Sequence, residues 1–96
     1  MGQRVAHLVA GRALNYIEFE DGFALVETKP PREYIGKTLG EAGIRNAHGV
    51  TVVAIKPRGK DFSYATVDTV LAAEDLLIVA GKTEKAERFA ERSLNE

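Results

Sequence analysis

The stretch Gly36-Lys37-Thr38-Leu39-Gly40-Glu41-Ala42-Gly43-Ile44-Arg45-Asn46-Ala47-His48-Gly49-Val50-Thr51-Val52-Val53-Ala54-Ile55-Lys56 decides how this chain folds. It reads as a short helix, a tight glycine turn and a strand apolar on both faces. Thr38 and Glu41 have the T-x-x-E spacing of a capping box, in which each side chain satisfies the other residue's amide, so a helix starts at Thr38. Gly49 ends that segment. Val50 to Ile55 is too continuously apolar for an edge strand. Arg45 is the one cation between Thr38 and Ile55.

Two courses are open between Gly40 and Gly49. If the helix runs on, Leu39 and Ile44 point about 140° apart at 100° per residue, so one face covers the domain's own sheet and the other faces something else. If Gly43 breaks it, Ile44 and Arg45 sit in a turn just before a buried strand. Either course sets an arginine beside apolar residues, which suits planar, two-pronged capture of a phosphate or carboxylate. The plainer reading is an ordinary surface arginine. Gly40 costs a helix about 1 kcal/mol relative to alanine, and close approach of another backbone or a ligand is the simplest reason for it.

On either side of this stretch the chain alternates strands and helices. Val5, Leu8, Val9, Ala13, Tyr16 and Ile17 recur at helical spacing, which predicts an amphipathic helix over Met1 to Tyr16. Asp21-Gly22 signals a turn, and Phe23 to Thr28 a strand stopped by Lys29-Pro30-Pro31. Pro57 to Asp61 reads as a turn leading into a short strand near Phe62 to Ala65. Leu76 to Ala80 is a second all-apolar strand, closed by Gly81. Thr83 is a suitable N-cap for a closing helix marked by Ala86, Phe89, Ala90 and Leu94. The expected order is a helix and then β-α-β-β-β-α. That is an α+β domain, with a small mixed or antiparallel sheet and flanking helices.

Composition narrows the function. Ninety-six residues make one domain. Thirteen basic against fourteen acidic residues leave a net charge of −1, which argues against binding a nucleic-acid polymer. The sequence has no apolar run long enough to span a membrane. It has no cysteine either, which excludes disulfides and thiolate metal sites and fits the cytoplasm. Gly36-Lys37-Thr38 and Gly81-Lys82-Thr83 imitate the end of a phosphate-binding loop. Pro31 and Leu76 stand where that loop needs its other glycine. His7 and His48 are the only histidines and suggest no metal site. Ser63 and Ser93 have no histidine or acid at an activating spacing, so no catalytic residue is expected.

The residues also resemble a known family. Gly36-Lys37-Thr38-Leu39, Ile44-Arg45 and Gly49 to Lys56 are similar to the C-terminal RCK domain, also called the TrkA-C domain. Asp68-Thr69, Leu71, Asp75 and Leu77 to Gly81 are similar to its second signature. The resemblance covers roughly Phe23 to Ala90. Residues 1–20 are similar to the helix that joins this domain to a preceding nucleotide-binding domain, and residues 21–96 to the ligand-sensing domain itself.

This resemblance implies a non-enzymatic regulatory subunit of a Trk/Ktr-type potassium channel or transporter. Such a subunit is cytoplasmic, held at the inner face of the membrane by its transporter partner, and pairs as a homodimer within a gating ring. In the Ktr-like branch the domain binds cyclic di-AMP at the two-fold interface. Carried over by position, that site falls on Leu39, Gly40, Gly43, Ile44, Arg45, Asn46, Thr51, Val52 and Val67. Thr51 stands where the Ktr-like pattern often has asparagine, Gly40 where it often has a bulkier apolar residue, and Val67 where proline is common. The alternative implied is a ligand-free dimerisation module of a Trk-type subunit or a cation/proton antiporter.

Overall fold

In the computed structural model, residues 3–9 and 12–94 are described, with side chains from 15 to 92. Six strands form one antiparallel sheet: β1 (Gln3–Val9), β2 (Arg12–Phe19), β3 (Phe23–Thr28), β4 (Thr51–Lys56), β5 (Ser63–Tyr64) and β6 (Leu76–Lys82). Their order across the sheet is β1-β2-β3-β6-β4-β5. Three helices accompany it: α1 (Leu39–Ala42), α2 (Ile44–His48) and α3 (Thr83–Leu94). The α+β class with a small antiparallel sheet and flanking helices is therefore as expected.

The core lies between the sheet and α3, which packs on β3 and β6. Along β3, Ala24, Val26 and Thr28 are buried, while Phe23, Leu25 and Glu27 point to the opposite face. On β6 the buried set is Leu77, Val79 and Gly81. The register places Val26 opposite Val79 and Ala24 opposite Gly81, so the buried positions of the two strands fall on the same face. From above, α3 contributes Ala86, Phe89 and Ala90, all at most 1% exposed. That stripe is the amphipathic pattern read from the sequence.

Three expectations change. The described residues of the amino-terminal segment are not a helix but a pair of strands. β1 pairs with β2 from Gln3↔Glu18 to Val9↔Arg12, and β2 continues the sheet by pairing with β3. Helical spacing alone does not exclude this, and a neighbouring strand with free hydrogen-bonding groups decides in favour of the strand. Tyr16 is buried opposite Val26, and Ile17 turns to the other face opposite Leu25.

Gly81 does not close β6, which runs on to Lys82. The glycine is needed inside the strand because a Cβ there would lie 2.9 Å from Val50 Cγ1. Nor is β4 covered on both faces. It lies between β6 and β5, but a bulge between Val52 and Ala54 leaves Val53 40% exposed.

Thr28 is 2% exposed, and its hydroxyl finds no hydrogen-bond partner among the described residues. A buried hydroxyl left unpaired costs about 1–3 kcal/mol, whereas an isosteric methyl there costs nothing polar. Thr28→Val is expected to raise stability by about 1 kcal/mol, read as a higher midpoint in thermal denaturation followed by circular dichroism. A lower midpoint would show that the hydroxyl has a partner.

Candidate ligand-binding site

Thr38 caps α1 as its sequence predicts. Its hydroxyl accepts from Glu41 N at 3.1 Å, and Glu41 Oε1 accepts from Thr38 N at 3.0 Å. The next amides of the helix are satisfied from a distant part of the chain. Leu39 N donates to Thr69 O and Gly40 N to Val67 O, at 2.9 and 3.0 Å. Gly36 N reaches Leu71 O, and Leu71 N reaches Lys37 O. Residues 65–71 are thereby tied alongside residues 36–40. The backbone that Gly40 accommodates is that of Val67: an added Cβ would lie 3.3 Å from its carbonyl oxygen. With its amides engaged in this way, the start of α1 has little left to offer an anion.

Gly43 settles the choice left open by the sequence. At φ 60° and ψ 33° it is left-handed, so α1 stops there. The chain turns at once into α2, one helical turn rather than an irregular one, which Gly49 ends at φ 71°. The break drives Ile44 into the core at 3% exposure and leaves Arg45 in solvent.

Around Arg45 lies a cavity of about 310 Å³. Leu39, Ile44, Val50 and Val52 form apolar walls, Thr51 and Thr66 bring hydroxyls, and Ala65 and Val67 close the side formed by the later loop. Six of the nine carried-over positions line it: Leu39, Ile44, Arg45, Thr51, Val52 and Val67. The other three lie elsewhere. Gly40 and Gly43 shape the backbone behind the wall, and Asn46 lines a separate cleft against α3.

Val50, Ala65 and Thr66 were not anticipated. Val50 could have been, since a fully buried valine directly before Thr51 must face the same side as Ile44. Ala65 and Thr66 carry no local signal, because long-range bonds bring them there. Ala65 N donates to Val53 O at 3.4 Å, and Thr66 precedes Val67, whose carbonyl takes the Gly40 amide. Val67, and Ile35 and Val70 which do not line the cavity, are apolar and 69%, 39% and 57% exposed. Among the described residues no group of acidic or histidine side chains is arranged to hold a metal. No helix among them is long and apolar enough to cross a membrane.

Residues 23–93 match the family described as the TrkA-C domain. The chain belongs to the TrkA-C domain family. Among curated proteins, this TrkA-C domain is 37% identical over 97 residues to the Ktr system potassium uptake protein C of Bacillus subtilis (strain 168), covering 99% of this chain and 43% of that protein. It is 27% identical over 90 residues to the Ktr system potassium uptake protein A of the same organism, covering 93% of this chain and 40% of that protein. The chain thus spans less than half the length of these relatives.

A solved structure described as the GsuK channel bound to NAD matches with a TM-score of 0.66 at 27% identity, over 79% of this chain and 14% of that one. The crystal structure of the GsuK RCK domain gives a TM-score of 0.66 at 24% identity, over 99% of this chain and 19% of that one, which speaks for the fold alone.

The Glu41 carboxyl is held below its usual range, first by the bond from the Thr38 amide and then by the Thr38 side chain. A depressed carboxylate supports folding above its unfolded value, and the support is lost as pH falls through the folded one. Thr38→Ala removes half of the reciprocal cap. It is expected to cost about 1 kcal/mol in denaturant unfolding and to move the Glu41 midpoint upward in an NMR pH titration. An unmoved midpoint would mean that the Thr38 hydroxyl does not shape the start of α1.

Proposed function

We propose that this chain is the ligand-sensing domain of a regulatory subunit in a potassium uptake system, and that two copies hold cyclic di-AMP between them at the Arg45 cavity. The observation that carries this reading is the placement of Arg45. It is an exposed guanidinium at the mouth of a cavity whose walls are Leu39, Ile44, Val50 and Val52. Adenine rings need apolar walls with a few polar groups to orient them, and a phosphate needs a planar cationic fork.

A two-fold dimer would present Arg45 twice to a ligand whose two phosphates are related by the same symmetry. Exposed Ile35, Val67 and Val70, beside the cavity, provide the apolar surface that a second copy would cover. The Ktr relatives support the potassium-uptake setting, and the NAD-bound GsuK structure supports a ligand of the nucleotide class. The domain makes and breaks no bond. Its effect on a membrane partner, met at the cytoplasmic face, comes from the ligand's different affinity for two arrangements of the dimer.

Calorimetric titration with cyclic di-AMP tests this directly. Arg45→Ala is expected to weaken binding by about 1.5–3 kcal/mol, the scale of a charge-assisted hydrogen bond. Equal affinity in the two proteins would remove Arg45 from the site. A dimer by light scattering that gives no heat with the nucleotide would point instead to a dimerisation module without a ligand.

A further inference from the structure

The face of α3 turned away from the core divides its charges. Glu84, Glu87 and Glu91 follow one another at three- and four-residue steps, and Lys85, Arg88 and Arg92 do the same one residue later. Such steps put each set on its own flank of the helix. The two sets are neighbours: Glu84 stands four residues before Arg88 and Glu91 three after it, whereas Lys85 has no acid at either spacing.

The basic stripe borders a cleft. Asn46, His48 and Gly49 form the opposite side, and the enclosed volume is about 450 Å³, within the range of small-molecule sites. Gly49 keeps that side low: with a Cβ, it would meet Lys85 Cδ at 2.7 Å. His48 is held in place by its neighbours. Its Nε2 lies 2.8 Å from the Tyr34 hydroxyl, and its ring meets Phe89 edge-on at 5.2 Å. Glu33 binds Arg92 and fixes that guanidinium at one end. Neither Lys85 nor Arg88 has a carboxylate partner among the described residues.

The end of α2 does not account for this charge. A helix terminus carries at most about half an elementary charge, and α2 is a single turn. One cation would offset it, whereas the cleft is lined by Lys85 and Arg88 as well as the Glu33-bound Arg92, and by no acidic side chain. We propose that the cleft between α2 and the basic stripe of α3 is a second anion site, separate from the Arg45 cavity, which takes the phosphate group of a small molecule. Lys85 and Arg88 would supply charge and Asn46 an amide donor, with the Glu33-bound Arg92 closing one end.

The probe is pyrophosphate, titrated into the isotopically labelled 96-residue chain and followed by NMR. The amides of Asn46, Gly49 and Lys85 are expected to shift together and to saturate. A Lys85→Gln/Arg88→Gln double variant is expected to bind at least tenfold more weakly while melting as the wild type does, since both side chains are exposed. Arg45→Ala is expected to leave the pyrophosphate shift at Lys85 unchanged, which separates this site from the cyclic di-AMP reading.

Three results would overturn the proposal. The first is no saturable shift in the cleft, or the same shift with chloride at matched ionic strength. The second is loss of the response in Arg45→Ala. The third is binding to vesicles of mixed phosphatidylcholine and phosphatidylglycerol with no response to soluble pyrophosphate, which would make the stripe a membrane-facing surface.

Discussion

The left-handed backbone at Gly43 governs what the middle of this domain can do. Residues with a Cβ pay on the order of 1 kcal/mol or more to hold that conformation, and glycine adopts it freely. Because the chain turns there, α1 and α2 are two separate one-turn helices with different faces toward the sheet. Ile44 is buried, and its neighbour Arg45 is left outside. Gly49, also left-handed, then sends the chain into β4 with Val50 buried at its entry. Position by position, the arginine, its apolar flank and the strand that forms the cavity's back wall follow from these two glycines.

Such short helices have almost no stability of their own, since the first turn fixes several residues for one hydrogen bond. They persist because their ends are tied elsewhere. The capping box closes the start of α1, and the carbonyls of Val67 and Thr69 take its next amides. Val67 is thus both a structural tie, through its backbone, and a cavity residue, through its side chain. A loop that holds a helix in place and also lines the adjacent cavity couples the occupancy of one to the position of the other.

Much of this could be read in the residues, and the exceptions have physical reasons. The capping box, β3, the buried stripe of α3 and the sequence neighbours Ile44 and Arg45 are local features with strong local signals. Val5, Leu8, Val9, Ala13, Tyr16 and Ile17 sit at helical spacing, and for so short a segment spacing alone leaves helix and strand as two outcomes. What separates them is the hydrogen-bonding edge of β3, which lies outside the segment. Gly81 resembled a stop signal, yet it serves close packing against Val50. Of the cavity's lining, Val67 is reached only through the family resemblance, and Ala65 and Thr66, which arrive through long-range pairing, carry no signal in the residues. Asn46 is one residue from Arg45, and on a one-turn helix that step of about 100° carries it into a different cleft.

The same geometry bears on how a ligand could act at a distance. A ligand at Arg45 would touch α1 through Leu39, α2 through Ile44 and Arg45, β4 through Thr51 and Val52, and the later loop through Val67. These elements are joined at Gly43 and Gly49 by backbone with little steric resistance to rotation. The sheet beneath them, clamped by α3 on β3 and β6, has no such joints at its centre. A ligand bridging all four elements would therefore hold the two short helices against β4 and the later loop and leave the core as it was. Signalling by that route needs no change of fold, only a difference in binding free energy between the loose and the bridged arrangements of the helices.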